Sequence, residues 1–199
     1  MPDPLQPTTR KESTEEEIQA YTIGGAKRHD APVTIVDYDP EWPALFARED
    51  ARIRSILGDR VRLLEHAGST SVPGLAAKPT IDMVLVVPDS SDEAAYVPDL
   101  EAAGYRLTIR EPHWFEHRVF KGPDTNVNLH VFSPGSPEIE RMVGFRDWLR
   151  THDDDRDLYE RTKRELSQQT WAYVQNYADA KTQVVEEIIG RAGGPPRTD

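Results

Sequence analysis

The residues able to do chemistry together cluster between positions 66 and 130. Residues 66–82 read HAGSTSVPGLAAKPTID. A small-residue turn (Gly68, Ser69, Thr70, Ser71) is followed by a basic residue, Lys78, and then by a carboxylate, Asp82, near the start of the apolar run 80–87. Backbone N–H groups of such a turn can cradle a phosphate, and Lys78 is placed to contact it. A carboxylate among aliphatic residues is costly to bury unpaired, so Asp82 should face a partner, a metal ion or an open cleft. The plainer alternatives are a strand-end aspartate capping a turn and a solvated loop lysine.

The partners for Asp82 come from 127–131. Asn128 and His130 lie two apart on a strand and share a face, while Val127, Leu129 and Val131 point into the core. An imidazole there can ligate a metal or act as a general base. In 116–121 the same alternation sets Glu116, Arg118 and Phe120 on one face and His117, Val119 and Lys121 on the other. Arg118 or Lys121 could hold a phosphate or carboxylate, with a rim salt bridge as the alternative. His113 and Trp114 read as loop residues at the surface. Lys181 interrupts the helical stripe Tyr177, Lys181, Val184, Ile188, so it either snorkels out or points into a cleft between helices and sheet; the cleft is preferred.

Other site classes fit poorly. GSTSVPG is not a Gly-x-Ser-x-Gly elbow, and it lacks the Gly-Lys-Ser/Thr ending of a phosphate loop. Asp153–Asp155 precede a helix and suit its dipole.

These groups need elements to position them. Residues 1–12 are rich in Pro, Thr and charge, as expected of a flexible stretch. Ser13 and Glu16 form a capping-box pattern for a short helix, and 24–32 reads as linker. A strand is expected at 33–36, a helix at 41–57, a strand at 61–66 and the Asp82 strand after the turn. A helix at 92–103, strands at 105–110, 116–121 and 127–132, and helices at 137–151, 153–169 and 176–192 complete the chain. Strands in the middle and helices at the end predict an α+β fold: a flexible extension over 1–32, an α/β core over 33–135, a helical region over 136–192 and a disordered tail over 193–199.

Composition narrows the partners. A net charge of −11 over 199 residues gives no cationic field for broad nucleic-acid or anionic-membrane binding, although a few local cations suffice for a small anion. There is no cysteine, which excludes disulfides, thiolate zinc sites and cysteine nucleophiles. No apolar run approaches the roughly 20 residues of a membrane span, and the first residues carry no hydrophobic signal region. The expectation is a soluble cytoplasmic protein.

The stretches 35–43 (IVDYDPEWP), 65–82, Glu116-His117-Arg118, Asn128-Leu129-His130-Val131, 145–150 (FRDWLR) and 177–181 (YADAK) together resemble the GrpB family, over about residues 33–192. That resemblance implies a nucleotidyltransferase-like mixed sheet, a Gly-Ser turn (Gly68, Ser69) for nucleotide phosphates and strand carboxylates for magnesium, Asp82 matching the first. Val84 stands where a second acid is usual, and Asn128 and His130 where a third would be; Asn128 departs also from the His-x-His that the family generally shows. Three readings stay open. One is nucleotidyl or phosphoryl transfer with Mg2+ or another divalent ion at Asp82, Asn128 and His130. Another is a binding module for a nucleotide, coenzyme or small phosphorylated or anionic metabolite. The third is acyl or aminoacyl transfer with His130 as base. Asp82 and His130 are the expected catalytic pair; Gly68, Ser69, Thr70, Ser71, Lys78, Arg118, Lys121 and Lys181 are the expected phosphate contacts.

Overall fold

Alternating aliphatic residues in the middle of the chain build one sheet. A computed structural model describes residues 12–196. The strands are β1 (Leu63–Ala67), β2 (Ile81–Val86), β3 (Arg106–Glu111), β4 (His117–Lys121) and β5 (Val127–Phe132), in the order β1-β2-β5-β4-β3. β2 and β5 run parallel; the other neighbours are antiparallel. Around them lie α1 (Glu15–Tyr21), α2 (Trp42–Leu57), α3 (Val97–Ala102), α4 (Pro137–Thr151), α5 (Asp153–Ser167), α6 (Val174–Ala180) and α7 (Thr182–Arg191). This is the expected mixed sheet with flanking helices and a helical C-terminal region.

The period-two pattern gives the sheet two unlike faces. On one, Ile81, Met83 and Leu85 of β2, Leu129 and Val131 of β5 and Phe120 of β4 pack under Trp42, Ile53 and Leu57 of α2 and Leu100 of α3. Each such side chain contributes about 1.5–3 kcal/mol when fully buried, so this face is the main core. The other face buries a smaller set, Ala67, Val84, Val86 and Phe132, with Met142 and Ile139 of α4 against them, and His117 and Val119 of β4. The helical layer has its own core: Leu149, Tyr159, Val184 and Ile188 close on Val72 and Leu75 from the central turn. Anchored there, the helices stand off the polar end of the sheet and leave a cleft.

Four expectations shift. Residues 33–36 make no strand of the sheet. The segment crosses between two layers, meeting Trp171 through Ala31 and Ala77 through Val36 as single bridges, and Val33 is buried beside Trp171 and Tyr177. The 92–103 helix divides into a 3-10 turn (Glu93–Ala95) and α3. Between them Tyr96 leaves helical geometry to bury its ring against Phe120 and donate its hydroxyl to Ser90 O (2.7 Å), and Pro98 suits a first turn. The last expected helix breaks at Lys181, which ends α6 and begins α7. The capping box belongs to Thr14 and Glu17, one residue later than expected.

The expected flexible extension is partly packed. Residues 1–11 lie outside the described residues, but Ser13 N donates to Asp179 Oδ2 (2.9 Å) and Ile23 N to Thr108 O (2.9 Å), holding α1 between α6 and the edge of β3. At the other end 197–199 lie outside, while Gly194 N donates to Ile189 O (3.0 Å) and Arg141 to Pro195 O (2.6 Å). Among the described residues no helix is long and apolar enough to cross a membrane.

Candidate functional site

β1 delivers Ala67 opposite Asp82 of β2, so the chain leaving β1 must pass close to that carboxylate. Gly68 makes this possible. It has φ +65 and ψ −174, a conformation confined essentially to glycine, and a Cβ built on it would overlap Asp82 Oδ2. Ser69–Ser71 then form a 3-10 turn in which Ser71 N and Val72 N bond back to Gly68 O and Ser69 O (both 3.2 Å). Two of its hydroxyls are used internally. Ser71 Oγ donates to Gly68 O, and Thr70 Oγ1 donates to Thr80 O (3.2 Å) while accepting from His66 Nε2 (3.0 Å). Burial pushes His66 down to about 4, so its imidazole is neutral. Gly68, Ser69 and Thr70 line the cleft, whose volume is about 540 Å³. Ser71 does not join that lining.

Asp82 and Asn128 are register partners across β2 and β5, with His130 one pleat along on the same face. Asn128 Nδ2 donates to Asp82 Oδ1 (2.7 Å), and Lys121 donates to Asn128 Oδ1. Burial works to raise the Asp82 carboxyl, but His130 when protonated, together with Lys78 and Asn128, holds it below the usual carboxylate range. His130 Nε2 stands 3.9 Å from Asp82 Oδ1, too far for a hydrogen bond.

Behind His130 runs a chain that orients it. His117 of β4 has Nε2 3.0 Å from His130 Nδ1 and Nδ1 2.7 Å from Glu111 Oε2 of β3. Burial holds His117 at about 4, so it is neutral and carries one proton. A carboxylate only accepts, so that proton sits on Nδ1 toward Glu111. His117 Nε2 then accepts from His130 Nδ1–H, which leaves the His130 Nε2 lone pair facing the cleft. This is the tautomer a general base needs.

The cleft is cationic. Lys78, Lys121, Lys163 and Lys181 all line it. Lys163, only 2% exposed, projects from α5 to donate to Ser69 Oγ (3.0 Å) and Ala76 O, with its ammonium 4.7 Å from the Tyr159 ring centroid. Burial, then Lys181, pushes it down to about 7. Lys78 and Lys121 are also lowered, first by burial and then by neighbouring lysines. Lys181 lies 4.6 Å over the Tyr177 ring. Among the described residues none of the four forms an ion pair with a carboxylate.

Arg118 is a correction. It faces away from the cleft, because it alternates with His117 and Val119 along β4, and it is 4% exposed. Its Nε bonds Glu93 Oε1 (2.6 Å), with Glu116 at 3.4 Å. Trp114, expected at the surface, packs edge-on to His117 (5.1 Å) and near Phe132 (6.2 Å).

The expected metal site does not suit a hard divalent cation. Such an ion takes about six or more oxygens. Here Asp82 is one carboxylate, the Asn128 oxygen is occupied by Lys121, and ammonium groups surround both. Among the described residues no three His, Cys, Asp or Glu side chains cluster as a metal group would.

Sequence reasoning missed Lys163, His117 and Glu111. Lys163 falls four residues after Tyr159 on the buried face of α5, the same signal that singled out Lys181. The other two become visible only with the register of β3, β4 and β5.

Comparison with known proteins agrees with this architecture. A family model described as "GrpB protein" matches residues 32–191. The chain is 62% identical over 179 residues to the UPF0157 protein BH1888 of Halalkalibacterium halodurans, covering 90% of this chain and 92% of that one. It is 29% identical over 188 residues to a dephospho-CoA kinase of Mycolicibacterium paratuberculosis, covering 81% of this chain and 46% of that one. The crystal structure of conserved protein GrpB from Enterococcus faecalis superposes with a TM-score of 0.71 and 29% identity, over 80% of this chain and 96% of that one.

Proposed function

This chain belongs to the GrpB family, and from that premise we propose that it binds a small phosphate-bearing metabolite, a nucleotide or coenzyme among them, and transfers a group on it without a divalent metal. The observation that carries this reading is the imbalance of charge in the cleft, which five lysines (Lys27 with the four above) line against one carboxylate. Desolvated cations without counter-ions lower the stability of the free protein. An anionic ligand would relieve that strain. The likeness to a dephospho-CoA kinase over part of its length supports a nucleotide- or coenzyme-type ligand.

In this reading the lysines neutralise the anion and the charge that develops on a departing phosphate. His130 Nε2 takes the proton of an attacking hydroxyl or amine as its oxygen or nitrogen bonds to the electrophilic centre. Asp82, close by, stabilises the resulting imidazolium, and Glu111 and His117 keep Nε2 free to accept. Val84 in place of a second acid also favours a quieter version, the same cleft holding its ligand without turnover.

The test is calorimetric titration of ATP and inorganic pyrophosphate with chelator and then with magnesium, alongside a pyrophosphate-release assay. Binding should survive the chelator, and Asp82→Asn should leave affinity unchanged or tighter, because it removes a like charge. Lys121→Ala should weaken binding about tenfold or more, the scale of one charged hydrogen bond. Binding that needs magnesium and vanishes in Asp82→Asn would restore the metal reading. Binding without product release would leave the module.

A further inference from the structure

Beside the lysine cleft lies a second chamber of about 340 Å³, and Gly68, His130 and Lys181 border both. Its walls are of another kind. Trp114, Phe132, Met142, Phe145, Val185 and Ile189 line it, and several of these are only partly buried, presenting apolar surface to the space between sheet and helices. The His117 ring stacks on Phe132 (4.7 Å) and meets the edge of Trp114 (5.1 Å). At its far end a single guanidinium, Arg141, meets two carboxylates, Glu138 (2.9 Å) and Glu186, so that end is net negative. One half of the hollow is therefore cationic and the other apolar with its charged groups at the rim, and His130 stands at the doorway.

We propose that this chamber is a second binding site, for the flat aromatic body of a ligand whose anionic end sits among the lysines. The proposal rests on the phosphate reading above and adds the other half of the substrate. Size supports a ring system, since about 150 Å³ of dry apolar cavity is enough for benzene. The rings of Trp114, Phe132 and Phe145 in its walls favour a flat aromatic group over a flexible chain. The bond between the anionic and aromatic parts then crosses the doorway beside His130 Nε2, where a base could act.

The experiment titrates the full chain with inorganic phosphate, phenyl phosphate and 2-naphthyl phosphate, in wild type, Val185→Trp and Phe145→Leu. Val185→Trp fills the chamber from α7; Phe145→Leu keeps an apolar side chain but removes a ring, so one variant remains informative if the other folds poorly. The aromatic phosphates should bind about tenfold or more tightly than inorganic phosphate, the worth of burying a ring. Both variants should erode that advantage while leaving inorganic phosphate within about twofold. Equal affinities of the three probes, or an advantage untouched by either variant, overturn the chamber and leave the lysine cleft standing. An aromatic advantage lost in the variants, with no binding of inorganic phosphate, supports the chamber and removes the lysine reading. No binding by any probe removes both.

Discussion

Strand β4 carries a cation on each side of the sheet, and the two are treated in opposite ways. Arg118 enters the core side and meets Glu93 at 2.6 Å, which Arg110 also engages at 2.6 Å. Nearby Glu49, fully buried, accepts from Thr125 (2.7 Å) and Tyr105 and lies 3.3 Å from Arg52. On the cleft side Lys121, Lys78 and Lys163 are buried enough to lose basicity, yet among the described residues they have no carboxylate in ion-pair contact. A buried charge that is paired serves the fold. One left uncompensated is the kind of group on which the proposed anion site rests.

That contrast can be broken first on the core side. Glu93→Ala leaves the Arg118 guanidinium buried beside Glu116 alone, and should cost about 3 kcal/mol in denaturant unfolding while leaving phosphate affinity unchanged. A loss of affinity with little loss of stability would show that Arg118 takes part in the site after all.

A smaller stability effect and a larger binding effect are expected at Gly68. Gly68→Ala forces a side chain into a glycine-only conformation and against Asp82, costing about 2 kcal/mol. Displacing Asp82 and the turn should abolish phosphate binding, measured by calorimetry. If binding persists, the close approach of turn and carboxylate is a matter of packing alone.

The finest test is the proton on Lys163. Its folded value of about 7 lies below its ordinary 10.5, so between these pH values the unfolded chain holds a proton that the folded chain does not. Stability should therefore rise with pH across that window, and Lys163→Met should remove this component of the slope. Phosphate binding near pH 8 should take up a fraction of one proton, read from titrations in buffers of different ionisation enthalpy. His117 gives the acid counterpart: its value of about 4 lies below the ordinary 6.5, so stability should fall as pH drops through that interval, and less so in His117→Phe.

Particular residues show how far the sequence could be read. Alternation along a strand is local, so it puts Asn128 and His130 on one face; strand register then brings Asp82 and Lys121 beside them. The same alternation sets Arg118 on the face opposite Lys121, and the two faces of one strand cannot both serve one cleft. The stripe that points to Lys181 crosses a helix break that falls at the lysine itself, and Lys181 lines the cleft. The segment 33–36 has strand-like residues, but its bonding partners lie in two different layers.

By itself the sequence determined the five strands of the sheet, the alternation within them, the turn with its glycine and the family likeness, because each depends on neighbours a few residues apart. The tertiary structure alone decided that Lys163 comes from α5 to touch Ser69, 94 residues away, and that Glu111, His117 and His130 line up across three strands. It also decided that the Asn128 oxygen accepts from Lys121. Which charges end up paired depends on strand register and helix docking, and those are settled by packing the whole chain.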